Sequence, residues 1–302
     1  MFSSENLKKM QIDMVSLINW ANGYLDHAKV TVVEKTYRDE KVPAFKRLLK
    51  KLNSEMTVDK LTPHDCLKFL SKQNQDRSGN AANKDRKNLS AGWNWGVKFM
   101  NLPKDNPFMA VDPFPTEEKP RYVPPEEDFW KVFEVASYEQ KILLLAFLHT
   151  SARRGELFRL HWNDIDFARN LIRLGTRKRI GGSLEYNTVS ITEELKQALS
   201  EKKKSSSSVY VFCDEYGQPF KYRRHLMKRL CLKANVTAFG FHSIRHLSAS
   251  ILASEGTDIP NIQSQLRHKH LHTTSRYLHK LGATDNVMEK VFGDRKQTRC
   301  SI

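Results

Sequence analysis

A chain of 302 residues with 39% apolar and 10% aromatic side chains has material for one large or two ordinary hydrophobic cores, which excludes a disordered chain. Lysine and arginine number 50 against 34 acids, a net charge of +16. The excess is spread along the chain: 19 basic and 13 acidic residues up to Asp112, 31 and 21 after it. That balance suits two units that both face a polyanion, nucleic acid first among them.

The four cysteines, Cys66, Cys213, Cys231 and Cys300, contain no CxxC pair, which argues against a zinc ribbon and a disulfide framework. No apolar run approaches the roughly 20 residues of a membrane span. The N-terminal "MFSSENLKKMQIDMV" lacks a signal-peptide core, so a cytoplasmic protein without membrane contact is expected.

Helical periodicity opens the chain. "SLINWANGYLDHA" places Leu17, Trp20, Ala21, Tyr24 and Leu25 near one face, and "AFKRLLKKLN" repeats the pattern with Phe45, Leu48, Leu49 and Leu52. "TPHDCLKFLSKQ" starts on a threonine N-cap followed by proline at the first helical position. Leu89, Trp93, Val97 and Met100 mark a fourth helix. Residues 1–112 therefore read as a helical unit studded with lysines and arginines. Five of the eleven prolines fall between Pro113 and Pro125, which makes 113–125 an extended linker.

From 126 a helical stretch runs to 150 through "ILLLAFLHT". "DIDFARNLIRLGTRKRIGGSLEYNTVSIT" alternates as β structure around a Gly181-Gly182 turn, and "TEELKQALSEKKK" is a helix capped by Thr192. "FKYRRHLMKRLCLKAN" is a basic helix with Leu226, Leu230 and Ala234 on one side, and helices follow over 242–256 and 258–266. Residues 126–302 thus form a mixed, mainly helical unit with a small antiparallel sheet.

Four stretches of this second unit carry reactive side chains: "HTSARRGELFRLHWNDIDF", "GTRKRIGGSLEYNTVSI", "FHSIRHLSAS" and "LRHKHLHTTSRYLH". His242 and Arg245 are three apart and share a helical face. Guanidinium forks match the non-bridging oxygens of a phosphodiester and stay charged at any working pH. Alternating His268, His270 and His272, with His279 beyond, have no cysteine or carboxylate nearby to complete a metal site.

The order Arg, Lys, His-x-x-Arg, His, Tyr in these contexts resembles the tyrosine recombinase (phage integrase) family. "KNLSAGWNWGVKFMNLPKDNPF" resembles the last helix and exit of that family's helical core-binding domain, and 126–282 its catalytic domain. The resemblance implies DNA strand exchange through a covalent 3′-phosphotyrosine. It places Arg153 and Arg245 on the scissile phosphate, Lys178 as general acid, His242 and His268 beside the phosphate, and Tyr277 as nucleophile. Arg153 takes its role because "T-G-x-R-x-x-E" aligns onto Thr150-Ser151-Ala152-Arg153-Arg154-Gly155-Glu156; Arg154 competes for it, as Arg177 and Arg179 do with Lys178. Two positions depart from the pattern: Ser151 and Arg267 stand where the family usually has glycine.

No cofactor or metal is expected, since the arginines answer the charge. The partner implied is double-stranded DNA bound by a homotetramer, with room for an accessory directionality factor. Integration or excision of a mobile element or prophage is the first expectation. Housekeeping recombination such as chromosome dimer resolution, a type IB topoisomerase, and a DNA-binding protein without turnover are the alternatives. After Tyr277, Val287, Met288, Val291 and Phe292 form a stripe that suits either a neighbouring subunit or its own domain.

Overall fold

The computed structural model describes residues 15–117, 122–177, 183–221 and 223–267. They divide into two compact units, Met1–Lys119 and Pro120–Ile302, the division falling inside the proline-rich stretch. Among the described residues no helix is long and apolar enough to cross a membrane.

The first unit is built from four main helices, α1 (Leu17–Thr31), α2 (Val42–Lys51), α3 (Pro63–Asp76) and α4 (Gly79–Phe99). A helical turn at Glu34–Thr36 and a π-helical turn at Tyr37–Lys41 lead into α2. The expected cap opens α3: the Thr62 hydroxyl accepts from Asp65 N–H while the Asp65 carboxylate accepts from Thr62 N–H, with Pro63 first in the helix. The core is aromatic. Trp20 of α1 lies 5.0 Å from the Phe45 ring, 5.5 Å from Trp93 and 6.1 Å from Phe108, and its indole N–H donates to the Gly92 carbonyl at 3.0 Å. Gly92 is required there, because a Cβ would lie 2.5 Å from the Phe45 ring.

Among the described residues of this unit one charged side chain is buried. The Asp85 side chain of α4, 2% exposed, accepts two bonds from Arg47 of α2, at 2.5 and 2.8 Å, and one from Arg77 at the end of α3, at 2.9 Å. A carboxylate taken from water needs this many donors to offset its desolvation. Three helices are pinned at one point as a result.

The second unit opens with α5 (Glu126–Glu134) and α6 (Tyr138–Thr150). The expected continuous helix over 126–150 is thus broken at 135–137, where Ser137 N–H donates to the Gln140 side chain at 3.0 Å and restarts the helix. α6 is apolar on every side from Ile142 to Leu148 and forms the centre of the core. The turn α7 (Arg154–Leu157) leads to the sheet, β1 (Ile165–Asp166), β2 (Leu171–Arg177) and β3 (Leu184–Ser190), antiparallel in that order. Pairing runs from Leu171 opposite Ser190 to Arg177 opposite Leu184. Ile172 and Leu174 point into the core, while Arg173 on the other face stacks over Tyr186 at 4.7 Å.

Among the described residues four helices follow the sheet: α8 (Glu193–Lys204), capped by Thr192 as expected, α9 (Arg224–Lys233), α10 (Phe241–Ser254) and α11 (Ile259–Leu266). Phe241 at the head of α10 stacks on Phe147 of α6 with centroids 4.5 Å apart. α10 is thereby laid along the central helix.

Removing the Asp85 carboxylate leaves Arg47 and Arg77 without the buried anion that joins them and breaks three charged hydrogen bonds. Asp85→Ala is expected to destabilise the first unit by about 3 kcal/mol, seen as a lower urea midpoint in tryptophan fluorescence of the full chain. A midpoint unchanged from the native chain would contradict the pinning role.

Candidate active site

The site begins where α6 ends. The last carbonyls of a helix have no partner within it, and this end is buried. Ser151 follows in the left-handed conformation, φ 49° and ψ 30°, and is fully buried. The carbonyl of His149 accepts from Gln265 at 3.2 Å, that of Thr150 from Arg267 at 3.2 Å, and that of Ser151 from Arg267 at 3.2 Å and from Arg245. The Ser151 hydroxyl sits 2.6 Å from that of Ser248, joining the turn to α10.

Arg245, 1% exposed, spans two helix ends, since its other nitrogen donates to the Leu266 carbonyl at the end of α11. Its neighbour on α10, His242, is exposed and packs edge-on against the buried His246 ring at 4.5 Å. Arg153 begins α7. Its N–H donates to Glu156 Oε2 at 2.8 Å and its Nη1 to Glu156 Oε1 at 2.9 Å, so the side chain is fixed by a residue one turn on. It remains 37% exposed, and Nη2 reaches the Arg267 carbonyl at 3.5 Å.

Glu156 is 2% exposed and has every lone pair occupied. Besides Arg153 it accepts from Thr176 Oγ1 of β2 at 2.5 Å and from Arg267 Nη2 at 3.1 Å. Burial alone would raise its carboxyl. The charge of Arg267 and the hydrogen bonds from Thr176 and Arg153 outweigh burial and hold it below the ordinary value. Arg159 donates to the Gly175 carbonyl at 3.1 Å, so the end of β2 is tied twice to the α7 turn.

The two departures from glycine share one cause. Arg267 caps α11 in the left-handed conformation, φ 53° and ψ 47°, as Ser151 caps α6. Left-handed caps favour glycine, and a residue with a Cβ costs about 1 kcal/mol there. Neither substitution opens the site, because both side chains are consumed by bonds inside it.

Of the six expected site residues, Arg153, His242 and Arg245 are described, and Arg153 and Arg245 meet at the end of α11, where Arg245 also holds the Ser151 turn. Lys178, His268 and Tyr277 lie outside the described residues; Lys178 follows directly on β2 and His268 on Arg267. The competing Arg154 is exposed. Among the described residues no group of histidine, cysteine and carboxylate side chains is arranged to hold a metal ion. Sequence assigned no role to Glu156 or Thr176 and marked Arg267 only as a departure from glycine. Glu156 carried a signal, standing three residues after Arg153 as a capping-box acid does.

Comparison with known proteins fits this geometry. A model described as the phage integrase family matches residues 127–283. The chain is 29% identical over 196 residues to tyrosine recombinase XerC of Bacillus pumilus, covering 59% of this chain and 63% of that protein. It is 22% identical over 284 residues to tyrosine recombinase XerD of Staphylococcus saprophyticus, covering 84% and 92%. Among solved structures it resembles a lambda integrase dimer bound to a COC′ core site, with TM-score 0.72, 16% identity, and 91% and 81% of the two chains covered. It also resembles the Tn1549 transposon integrase in complex with circular intermediate DNA, with TM-score 0.67, 18% identity, and 87% and 95% covered.

Glu156 gives the site a pH signature. A carboxylate held below its ordinary value stabilises the fold fully above about pH 4.5, and that contribution is lost as pH falls through the lowered folded value. Glu156→Gln is expected to melt below the native chain at pH 7, with the gap closing as the pH drops below 4.5 in calorimetric scans. A gap that stays constant to pH 3 would show that the charge of Glu156 is not what holds the site.

Proposed function

This chain belongs to the phage integrase family of tyrosine site-specific recombinases, and on that premise we propose that it cuts and rejoins double-stranded DNA through a 3′-phosphotyrosine intermediate on Tyr277. The observation that carries the reading is the meeting of the Arg153 and Arg245 guanidinium groups, one part-exposed and one buried, at the adjacent carbonyls of Arg267 and Leu266 that end α11.

The chemistry follows from those charges. Attack on a phosphodiester places added negative charge on the non-bridging oxygens, and preorganised guanidinium groups answer it without having to reorient. The Tyr277 oxygen bonds to phosphorus as the bond to the 5′-oxygen breaks. The phenolic proton leaves to a nearby base, with His268 or His242 in reach by family position, and Lys178 protonates the departing 5′-oxygen. Lys178 follows a strand tied to the α7 turn through Thr176 and Arg159, which keeps its hairpin attached to the arginine it must work beside. Attack by a 5′-hydroxyl on the phosphotyrosine reforms the phosphodiester and returns the protonated phenol, the new ester having kept the energy of the broken one.

The basic first unit supplies the second hand on the duplex, and a homotetramer on two duplexes is the assembly proposed, in line with the lambda integrase tetramer bound to a Holliday junction among the structural neighbours. Movement of a mobile element or prophage is the role proposed first. The XerC and XerD relatives favour a second, housekeeping recombination such as chromosome dimer resolution. Direct repeats flanking the gene would select the first role, and their absence together with a fixed chromosomal site the second.

On a nicked duplex carrying its site, the chain is expected to form a protein–DNA adduct that survives a denaturing gel. Tyr277→Phe should abolish the adduct while leaving salt-sensitive DNA binding intact. Arg153→Ala should slow adduct formation by on the order of 100- to 1000-fold. An adduct persisting in Tyr277→Phe would remove that residue as nucleophile; binding without any adduct would leave a DNA-binding protein that does not cut.

A further inference from the structure

We propose that Arg267 is a positioning residue for strand cleavage, holding Glu156 and the Ser151 turn so that Arg153 and Arg245 keep their forks aimed and their charge available; this rests on the recombinase reading above. The backbone at Arg267, with φ 53°, suits glycine, and the resembled family usually has glycine there. An arginine in that conformation carries a cost that its side chain has to offset. The side chain is 4% exposed and donates to Glu156, to the carbonyls of Thr150 and Ser151, and to the Gln265 carbonyl at 2.8 Å.

One of those contacts shares an acceptor with a cleavage arginine, since the Ser151 carbonyl also accepts from Arg245. The backbone carbonyl of Arg267 itself accepts from Arg153. Holding the Arg267 side chain in place therefore holds an acceptor of each. The contact with Glu156 concerns charge. A buried carboxylate paired with Arg153 alone would neutralise it and weaken its attraction for a phosphate. With Arg267 on the other oxygen, one negative charge is shared between two guanidinium groups, and a net positive charge is left on the side that Arg153 exposes.

The test uses the full chain and a nicked duplex oligonucleotide carrying a core site that the chain itself selects from a random library. Single-turnover adduct formation is followed across protein concentrations, giving a rate at saturation and a half-saturating concentration. Arg267→Gly relieves the backbone and removes the guanidinium; Arg267→Lys keeps the charge and one bond to Glu156. The saturating rate of Arg267→Gly is expected to fall roughly 10- to 100-fold, with half-saturation within about two-fold of the native chain. Arg267→Lys should recover to within about ten-fold of native. Melting of both variants above the assay temperature establishes that they are folded.

A native rate in Arg267→Gly, a lysine variant no faster than the glycine variant, or a loss confined to half-saturation would each overturn the positioning role while leaving the recombinase reading intact. Absence of any adduct from the native chain would overturn the recombinase reading and this role with it.

Discussion

A helix that ends inside a protein must find donors for its last carbonyls, and the second unit is organised around that demand. α6 is apolar on every side and runs through the middle of the core, so water cannot reach its C-terminus. The carbonyls of His149, Thr150 and Ser151 are met instead by Gln265, Arg267 and Arg245 from two helices far along the chain. The helix end is also the negative end of its dipole, which favours cations there. Packing and electrostatics thus call for arginines at the same place, and arginines are what a phosphate needs.

Concentrating guanidinium groups raises a problem of repulsion, and Glu156 answers it from below. With all its acceptors taken by Arg153, Thr176 and Arg267, it fixes the direction of Arg153 without leaving a lone pair to compete for the outer face. The first unit meets a similar problem in a different way. Asp85 draws Arg47 and Arg77 together and spends them on holding helices. A fork turned inward stiffens a fold; a fork fixed from behind serves a ligand.

Much of this was legible in the sequence wherever the signal was local. Thr62 and Thr192 sit at helix starts because their hydroxyls meet free N–H groups, and the periodic Leu17, Trp20 and Tyr24 mark a buried face. The break at Ser137 was missed because α6 has no polar face whose interruption could reveal it; the Ser137–Gln140 cap was the surviving clue. Arg153 and Arg245 were found through the order of motifs, yet nothing local said that Arg245 would be buried. Arg267 read as a disturbance of a glycine position. Its real partners, Glu156 and Thr150, lie more than a hundred residues earlier, beyond the reach of any periodicity.

Those long separations bear on the order in which the chain acquires its parts. Arg153 and Glu156 meet within a single turn, as soon as that segment leaves the ribosome. The donors from Arg245 and Arg267 arrive only after the hairpin, with α10 and with the end of α11. A nascent or truncated chain would hold one guanidinium in place with the end of α6 still unsatisfied, and loop closure over such distances comes late in folding. The charges that the proposed cleavage depends on therefore come together only once the distant helices have been made, which keeps a partly made chain from assembling them.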